Sequence, residues 1–211
     1  MIGTKELTGL ILAGGRATRM GEIDKGLQAF HGYPLVIHVV TRLAPQVGTI
    51  LINANRHREI YEQLGHRVIG DVIDDAIDAY AGPLAGLHAG LAACESDYLV
   101  AVPCDAPFLP RDLVARLGEG MSRGMSRGMS AGLRNNAIDV AYATTASGRH
   151  PVFCMMRRAV APSLATFVRE GGRSVGAWLD RMNCIAVSFE HEDAFRNLNT
   201  LEELRDAERG A

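Results

Sequence analysis

Residues 10–26 read LILAGGRATRMGEIDKG, with four glycines, two arginines and one lysine directly after an apolar run. Gly14 and Gly15 carry no side chain, so the backbone there can come close to a ligand and aim N–H groups at it. Arg16, Arg19 and Lys25 add positive charge to the same stretch, in a chain whose formal net charge is −2. Bare backbone donors plus local cations are the ingredients of a polyphosphate site. The alternative is a tight solvated turn carrying surface charges. Two commoner phosphate loops are excluded. A G-x-x-x-x-G-K-[ST] loop fails because Gly21 precedes Glu22 and Lys25 precedes Gly26, and no G-x-G-x-x-G is present.

Several carboxylates and amides follow apolar runs. Asp105, in VAVPCDAP, sits just past one. A carboxylate at a strand's C-terminal end can hold Mg²⁺ shared with nucleotide phosphates, because Mg²⁺ needs only one or two carboxylates besides phosphate oxygens and water. Its other reading is a cap on the turn before Pro107. Asp71 ends another run, in VIGDVIDDAIDAY, and Asp74, Asp75 and Asp78 behind it read as a solvated acidic loop. Asn53, in INANR, can read a base or ribose edge with both donors and acceptors, or can simply stabilise its loop. AGPLAGL, spanning Gly82 to Gly86, opens a helix and could receive phosphate at its N-terminus. Asn197 and Asn199, in RNLNT, precede a T-x-x-E capping box at Thr200 and could hold that turn. The seven histidines show no H-E-x-x-H or comparable spacing, which argues against zinc; His150 stands before an apolar run without an assigned role. No serine sits in a G-x-S-x-G elbow, so covalent nucleophilic catalysis has no support.

The elements that must position these residues alternate. Strands are expected at Leu7–Leu12, Thr49–Ala54, Arg67–Asp71, Tyr98–Pro103, Ile138–Ala143, Pro151–Met156 and Ile185–Phe189. Helices are expected at Pro34–Leu43, Arg56–Leu64, Leu84–Ala93, Arg111–Leu117, Ala159–Arg169 and Val175–Met182, with a last one opening at Thr200. Such alternation predicts an α/β fold with a mostly parallel sheet covered on both faces. Two strands near 138–156 lie close together without a helix between them, which predicts an antiparallel strand and hence a mixed sheet. A length of 211 residues with 47% hydrophobic and 22% charged residues suits one globular domain. The tandem GMSRGMSRGMSAG, within 119–134, is expected to be a flexible surface insertion, since Gly124 and Gly128 weaken a helix; the alternatives are a frayed helical extension and a binding arm using its arginines. The near-neutral charge argues against nucleic-acid or anionic-membrane partners. Cys94, Cys104, Cys154 and Cys184 are far apart and without metal spacing, so they read as reduced, mostly buried thiols of a cytoplasmic protein. No run approaches the length of a spanning helix.

LAGGRATRMGEIDK, followed in order by GYPL, INANR, GPLAGL, PCDAPF, HPVF and NLNTLEEL, resembles the molybdenum cofactor guanylyltransferase family from about Thr8 to Leu204. The resemblance implies a single-domain, Rossmann-like nucleotidyltransferase fold. It implies transfer of GMP from GTP to the phosphate of molybdopterin, with release of pyrophosphate and Mg²⁺ as cofactor. It assigns GTP binding to Leu12, Ala13, Gly14, Gly15, Lys25, Asn53, Asp71 and Asp105, and the catalytic electrostatics to Lys25, Arg19 and the metal ligand Asp105. Gly82, Asn197 and Asn199 fall on the pterin side. It leaves room for transient contact with cofactor-insertion proteins and recipient molybdoenzymes. Three rivals stay open: a cytidylyltransferase acting on the same pterin, for which LAAG rather than LAGG is expected; a sugar-phosphate nucleotidyltransferase; and a GTP-binding cofactor carrier without catalysis. The Met-Ser-Arg-Gly repeat has no counterpart in the family pattern, and the acidic stretch after Asp71 is longer than that pattern.

Overall fold

The structure, a computed structural model, describes residues 2–14, 24–71, 82–130 (side chains to Ser122) and 137–210. Along the chain run β1 (Leu7–Leu12), β2 (Ala29–Phe30), β3 (Tyr33–Pro34), α1 (Leu35–Leu43), β4 (Thr49–Asn53), α2 (Arg58–Glu62), β5 (Arg67–Ile69), α3 (Pro83–Ala93), β6 (Tyr98–Pro103), α4 (Leu113–Ser130), β7 (Val140–Thr145), β8 (Gly148–Arg157), α5 (Ala161–Arg169), α6 (Val175–Leu179), β9 (Cys184–Ser188) and α7 (Leu201–Arg209).

Seven strands form one sheet in the order β5-β4-β1-β6-β8-β7-β9. β5, β4, β1 and β6 are parallel; β8 runs antiparallel to β6 and to β7, and β7 pairs parallel with β9. The antiparallel strand lies where two apolar runs abut without a helix, because only a parallel pair needs a crossover. Side chains alternate across the pleat. Leu7, Ile11, Ile50, Ile52, Val100 and Val102 face α1 and α4. Leu10, Leu51, Leu99 and Ala101 face α3, α5 and α6. Both faces are therefore covered, which is why these strands read as continuous apolar runs rather than as alternating ones.

Two features differ from the sequence expectation. The GMSRG repeat does not leave the fold at 119; α4 carries on through it to Ser130. A four-residue period stays near the helical one, so the repeat is compatible with a continuing helix. Met121 is 1% exposed, and a Cβ on Gly120 would stand 2.7 Å from Val187 Cγ2, so glycine lets α4 lie flush on β9. Positions 131–134 of that segment lie outside the described residues. The second feature is a small hairpin, β2–β3, turned by His31 and Gly32 at φ 47° and 80°. It packs Phe30 against Leu35, Leu198, Leu204 and Ala207, and so anchors α7 beside the sheet. Among the described residues no helix is long and apolar enough to cross a membrane. All four cysteines are unpaired thiols, three of them buried.

Candidate active site

The C-terminal ends of β1, β4 and β6 lie side by side, at Leu12, Asn53 and Pro103. Their pairing continues one residue past the strands. Ala13 N–H donates to the Asn53 carbonyl at 2.8 Å, and Cys104 N–H donates to the Leu12 carbonyl at 3.1 Å. This fixes the start of the glycine loop between its two neighbours. Leu198 N–H donates to the Asp105 carbonyl at 2.8 Å, which draws the segment before α7 over the same strand ends. The result is a cavity of about 360 Å³.

Leu12, Ala13, Gly14, Lys25, Asn53, Gly82, Asp105, Asn197 and Asn199 all line this cavity. Residues up to 187 positions apart in the chain are thereby brought together. Asp71 stands behind the lining rather than in it, where it orients Asn53. The Asn53 Nδ2 donates to Asp71 Oδ1 at 2.9 Å and the Asn55 Nδ2 to Asp71 Oδ2 at 2.6 Å. Asn55 Oδ1 in turn accepts the Asp71 backbone N–H at 2.8 Å. Gly15, Arg16, Arg19, Asp74, Asp75 and Asp78 lie outside the described residues.

The charged pair of the cavity is Lys25 and Asp105, 3.7 Å apart. Asp105 is 7% exposed. Burial raises its carboxyl above the usual range, and Lys25 pulls it back only in part. Lys25 Nζ also donates to Asn199 Oδ1 at 2.6 Å. Asn199 is held by Glu203, whose carboxylate accepts both the Asn199 and the Thr200 N–H as part of the capping box of α7. So the turn caps the helix, one of its two expected roles, and in addition presents an amide to the lysine. Asn197 Oδ1 is buried and has no hydrogen-bond partner among the described residues, an acceptor awaiting a donor.

Gly82 and Gly86 have different jobs. Gly82 precedes α3 at φ 58° and lines the cavity. Gly86 does not face it; a Cβ there would stand 2.4 Å from Asn53 Oδ1 and 2.6 Å from Leu12 Cδ2. It is glycine because α3 presses directly on the Asn53 amide. His150 points away into an aromatic cluster, stacked on Phe195 at 4.8 Å with its Nε2 2.8 Å from Thr145 Oγ1. Burial lowers its imidazole pKa.

Sequence reasoning passed over Asp24, Asn55, His57 and Tyr61, which meet at or just behind this cavity. They lie in IDK and NANRHREIY, where only their positions next to Lys25 and Asn53 could have flagged them. A larger cavity of about 620 Å³ opens beside α4 at the opposite end of β1. It is lined mainly by apolar groups and contains no lysine–carboxylate pair.

A cation fits at Asp105. The carboxylate is buried, Lys25, its cationic neighbour among the described residues, compensates it incompletely, and it faces an open cavity. Among the described residues no three His, Cys, Asp or Glu converge to hold a metal by themselves. The donor set therefore suits Mg²⁺ completed by phosphate oxygens and water, rather than a closed protein cage.

Comparison with known proteins agrees with this geometry. Residues 9–184 match the MobA-like NTP transferase domain. A protein of Ralstonia nicotianae named molybdenum cofactor guanylyltransferase is 46% identical, with 97% of each chain covered. One of the same name from Bordetella pertussis is 45% identical, covering 97% of this chain and 98% of its own. Among solved structures, molybdopterin-guanine dinucleotide biosynthesis protein A from Archaeoglobus fulgidus superposes with a TM-score of 0.71. At 22% identity over 96% of this chain and 97% of that one, it speaks for the fold.

Proposed function

The chain belongs to the MobA-like NTP transferase family, and from that premise we propose that it is a molybdenum cofactor guanylyltransferase, moving GMP from GTP onto the phosphate of molybdopterin. The observation that carries the reading is the Lys25–Asp105 pair, 3.7 Å apart in a cavity at the ends of β1 and β6. A cation-binding carboxylate and an ammonium side by side suit a polyphosphate whose α-phosphorus is to be attacked.

Leu12 and Ala13 bound the guanine and ribose, with Asn53 held rigid by Asp71, and Gly14 leads the backbone on to the β and γ phosphates. Gly14 is needed there: a Cβ would stand 2.9 Å from Asn53 Oδ1. Lys25, with Arg19 and the backbone around Gly15 from the family pattern, takes the β and γ phosphates. Asp105 holds the Mg²⁺. Bound there, Mg²⁺ neutralises phosphate charge and so lowers the repulsion between two anions. The acceptor lies toward Gly82, Asn197 and Asn199, where the Asn197 oxygen, without a partner among the described residues, can take an N–H from a pterin.

In the transfer, an oxygen of the acceptor phosphate bonds to the α-phosphorus of GTP as the bond to the pyrophosphate oxygen breaks. The acceptor is already an anion, so no side chain need remove a proton. What remains for the protein is alignment and charge stabilisation. Lys25 serves both: freed from Asp105 and Asn199 by incoming phosphate, its ammonium follows the charge that develops on the leaving group.

Pyrophosphate release tests the reading. Purified protein with GTP and Mg²⁺ should release pyrophosphate only when molybdopterin is added. Replacing Lys25 or Asp105 by Ala should lower that rate by about 100-fold or more, as for loss of one preorganised electrostatic contact. Saturable GTP binding without release would make the protein a carrier.

A further inference from the structure

Among the described residues two carboxylates line the cavity, Asp105 and Asp24. The second is unexpected, because a carboxylate repels the phosphates the cavity is built to hold. Its side chain is 8% exposed, and its oxygens are engaged within the protein. Asp24 Oδ1 accepts the Tyr61 hydroxyl at 2.7 Å and the Gly26 N–H at 3.1 Å. Asp24 Oδ2 lies 3.2 Å from His57 Nδ1, which donates, since a carboxylate can only accept. The Asp24 carbonyl accepts the Leu27 N–H at 3.2 Å, closing the tight turn that Lys25 opens.

Each partner has a feature that fits this contact. Tyr61 is fully buried on α2, and its hydroxyl reaches under the turn. A Cβ on Gly26 would stand 2.5 Å from that hydroxyl and 3.2 Å from Cys104 Sγ, so glycine is required for the approach. His57 holds φ at 49°, uncommon for a side chain of its size, immediately before α2. Three donors from two elements thus converge on one carboxylate, and the next residue in the chain is Lys25.

We propose that Asp24, Tyr61 and His57 form a latch that sets the backbone of Lys25 and thereby aims its ammonium at the phosphates. They are positioning residues, and the inference rests on the reading of Lys25 as the phosphate-binding cation. The buried charge of Asp24 is the anchor: hydrogen bonds to an ionised group hold a loop more tightly than neutral ones.

The chain contains only two lysines, Lys5 and Lys25, and Lys5 is exposed at the far end of β1. In protein labelled with ¹⁵N-lysine, the two side-chain signals therefore report Lys25 with an internal control. In Tyr61→Phe the Lys25 signal should move and lose its response to GTP·Mg²⁺, while that of Lys5 stays. Turnover should fall about 10- to 100-fold, more than KM for GTP rises, as expected for a misplaced rather than a missing group. Asp24→Asn keeps an acceptor for Tyr61 and Gly26 and should retain more turnover than Asp24→Ala, at equal folding by circular dichroism. A folded Tyr61→Phe with the wild-type Lys25 signal and turnover overturns the latch, as does Asp24→Ala matching Asp24→Asn. Should Tyr61→Phe fail to fold, the Asp24 pair decides alone. Lys25→Ala, run alongside, separates the two ideas. If it turns over normally, the reading of Lys25 fails; if it is inactive while Tyr61→Phe is normal, only the latch fails.

Discussion

Replacing Gly86 by Ala adds one methyl group outside the cavity lining, yet it should weaken GTP binding. The new Cβ would stand 2.4 Å from Asn53 Oδ1, 2.6 Å from Leu12 Cδ2 and 3.1 Å from Asn53 Cγ. These are roughly 1 Å short of ordinary contact distances. Asn53 cannot yield cheaply, because it is 2% exposed and its amide is tied to Asp71. Either α3 lifts off or the Asn53 side chain turns. Alanine's helix propensity returns ~1 kcal/mol, against ~1–3 kcal/mol for overpacking, a net loss of up to about 2 kcal/mol. For a chain of this size that lowers Tm by up to about 4–8 °C. Turning Asn53 also removes a hydrogen bond to a carboxylate, ~1.5–3 kcal/mol, so the GTP Kd should rise about 10- to 100-fold. Calorimetric titration with GTP·Mg²⁺ and thermal unfolding measure both. Gly90→Ala is the control: its Cβ meets the end of Leu10, at 2.4 Å, so it should lower Tm and spare GTP affinity. A Gly86→Ala protein with unchanged Kd would refute the clamped Asn53 as part of the nucleotide site.

Two further substitutions follow from the same geometry. Asp105→Asn should abolish most turnover, by about 100-fold or more, and yet raise Tm at neutral pH. The sign comes from burial: the folded carboxyl pKa lies above its ordinary 3.8, so ionisation costs more in the folded chain than in the unfolded one. Wild-type stability from this group is therefore lost as pH rises above that value, and the advantage of Asn should vanish below pH 3.8; a gap independent of pH would contradict this. Thr200→Ala removes the cap that accepts the Glu203 N–H and should cost ~1 kcal/mol. Because Glu203 also holds Asn199, acceptor KM should rise more than GTP KM, a difference steady-state kinetics would expose.

Much of this was legible in the sequence where one physical rule acts alone. Continuous apolar runs marked β1, β4 and β6, and their ends marked Leu12, Asn53 and Asp105 as neighbours, because parallel strands align their C-terminal ends. The T-x-x-E box placed the start of α7 at Thr200. What stayed hidden depended on contacts between distant segments. The β2–β3 hairpin has two-residue strands and a His-Gly turn, too short for periodicity and without the usual Asn-Gly signal. The GMSRG repeat reads as a helix breaker, yet its glycine at 120 is what lets α4 settle on β9. Gly86 reads as part of a phosphate loop, and only the packing of α3 shows it serving Asn53. Asp24 reads as one more charge beside Lys25; its burial and its three donors come from α2 and the turn, which no local pattern reveals.

The most direct test is to identify the product. Purified protein would be given Mg²⁺ and molybdopterin loaded with molybdate, with GTP or CTP in separate reactions, and the released pterin would be analysed by chromatography and mass spectrometry. A guanine dinucleotide from GTP, and none from CTP, is expected. A cytosine dinucleotide, or GTP binding without any dinucleotide, would contradict guanylyl transfer.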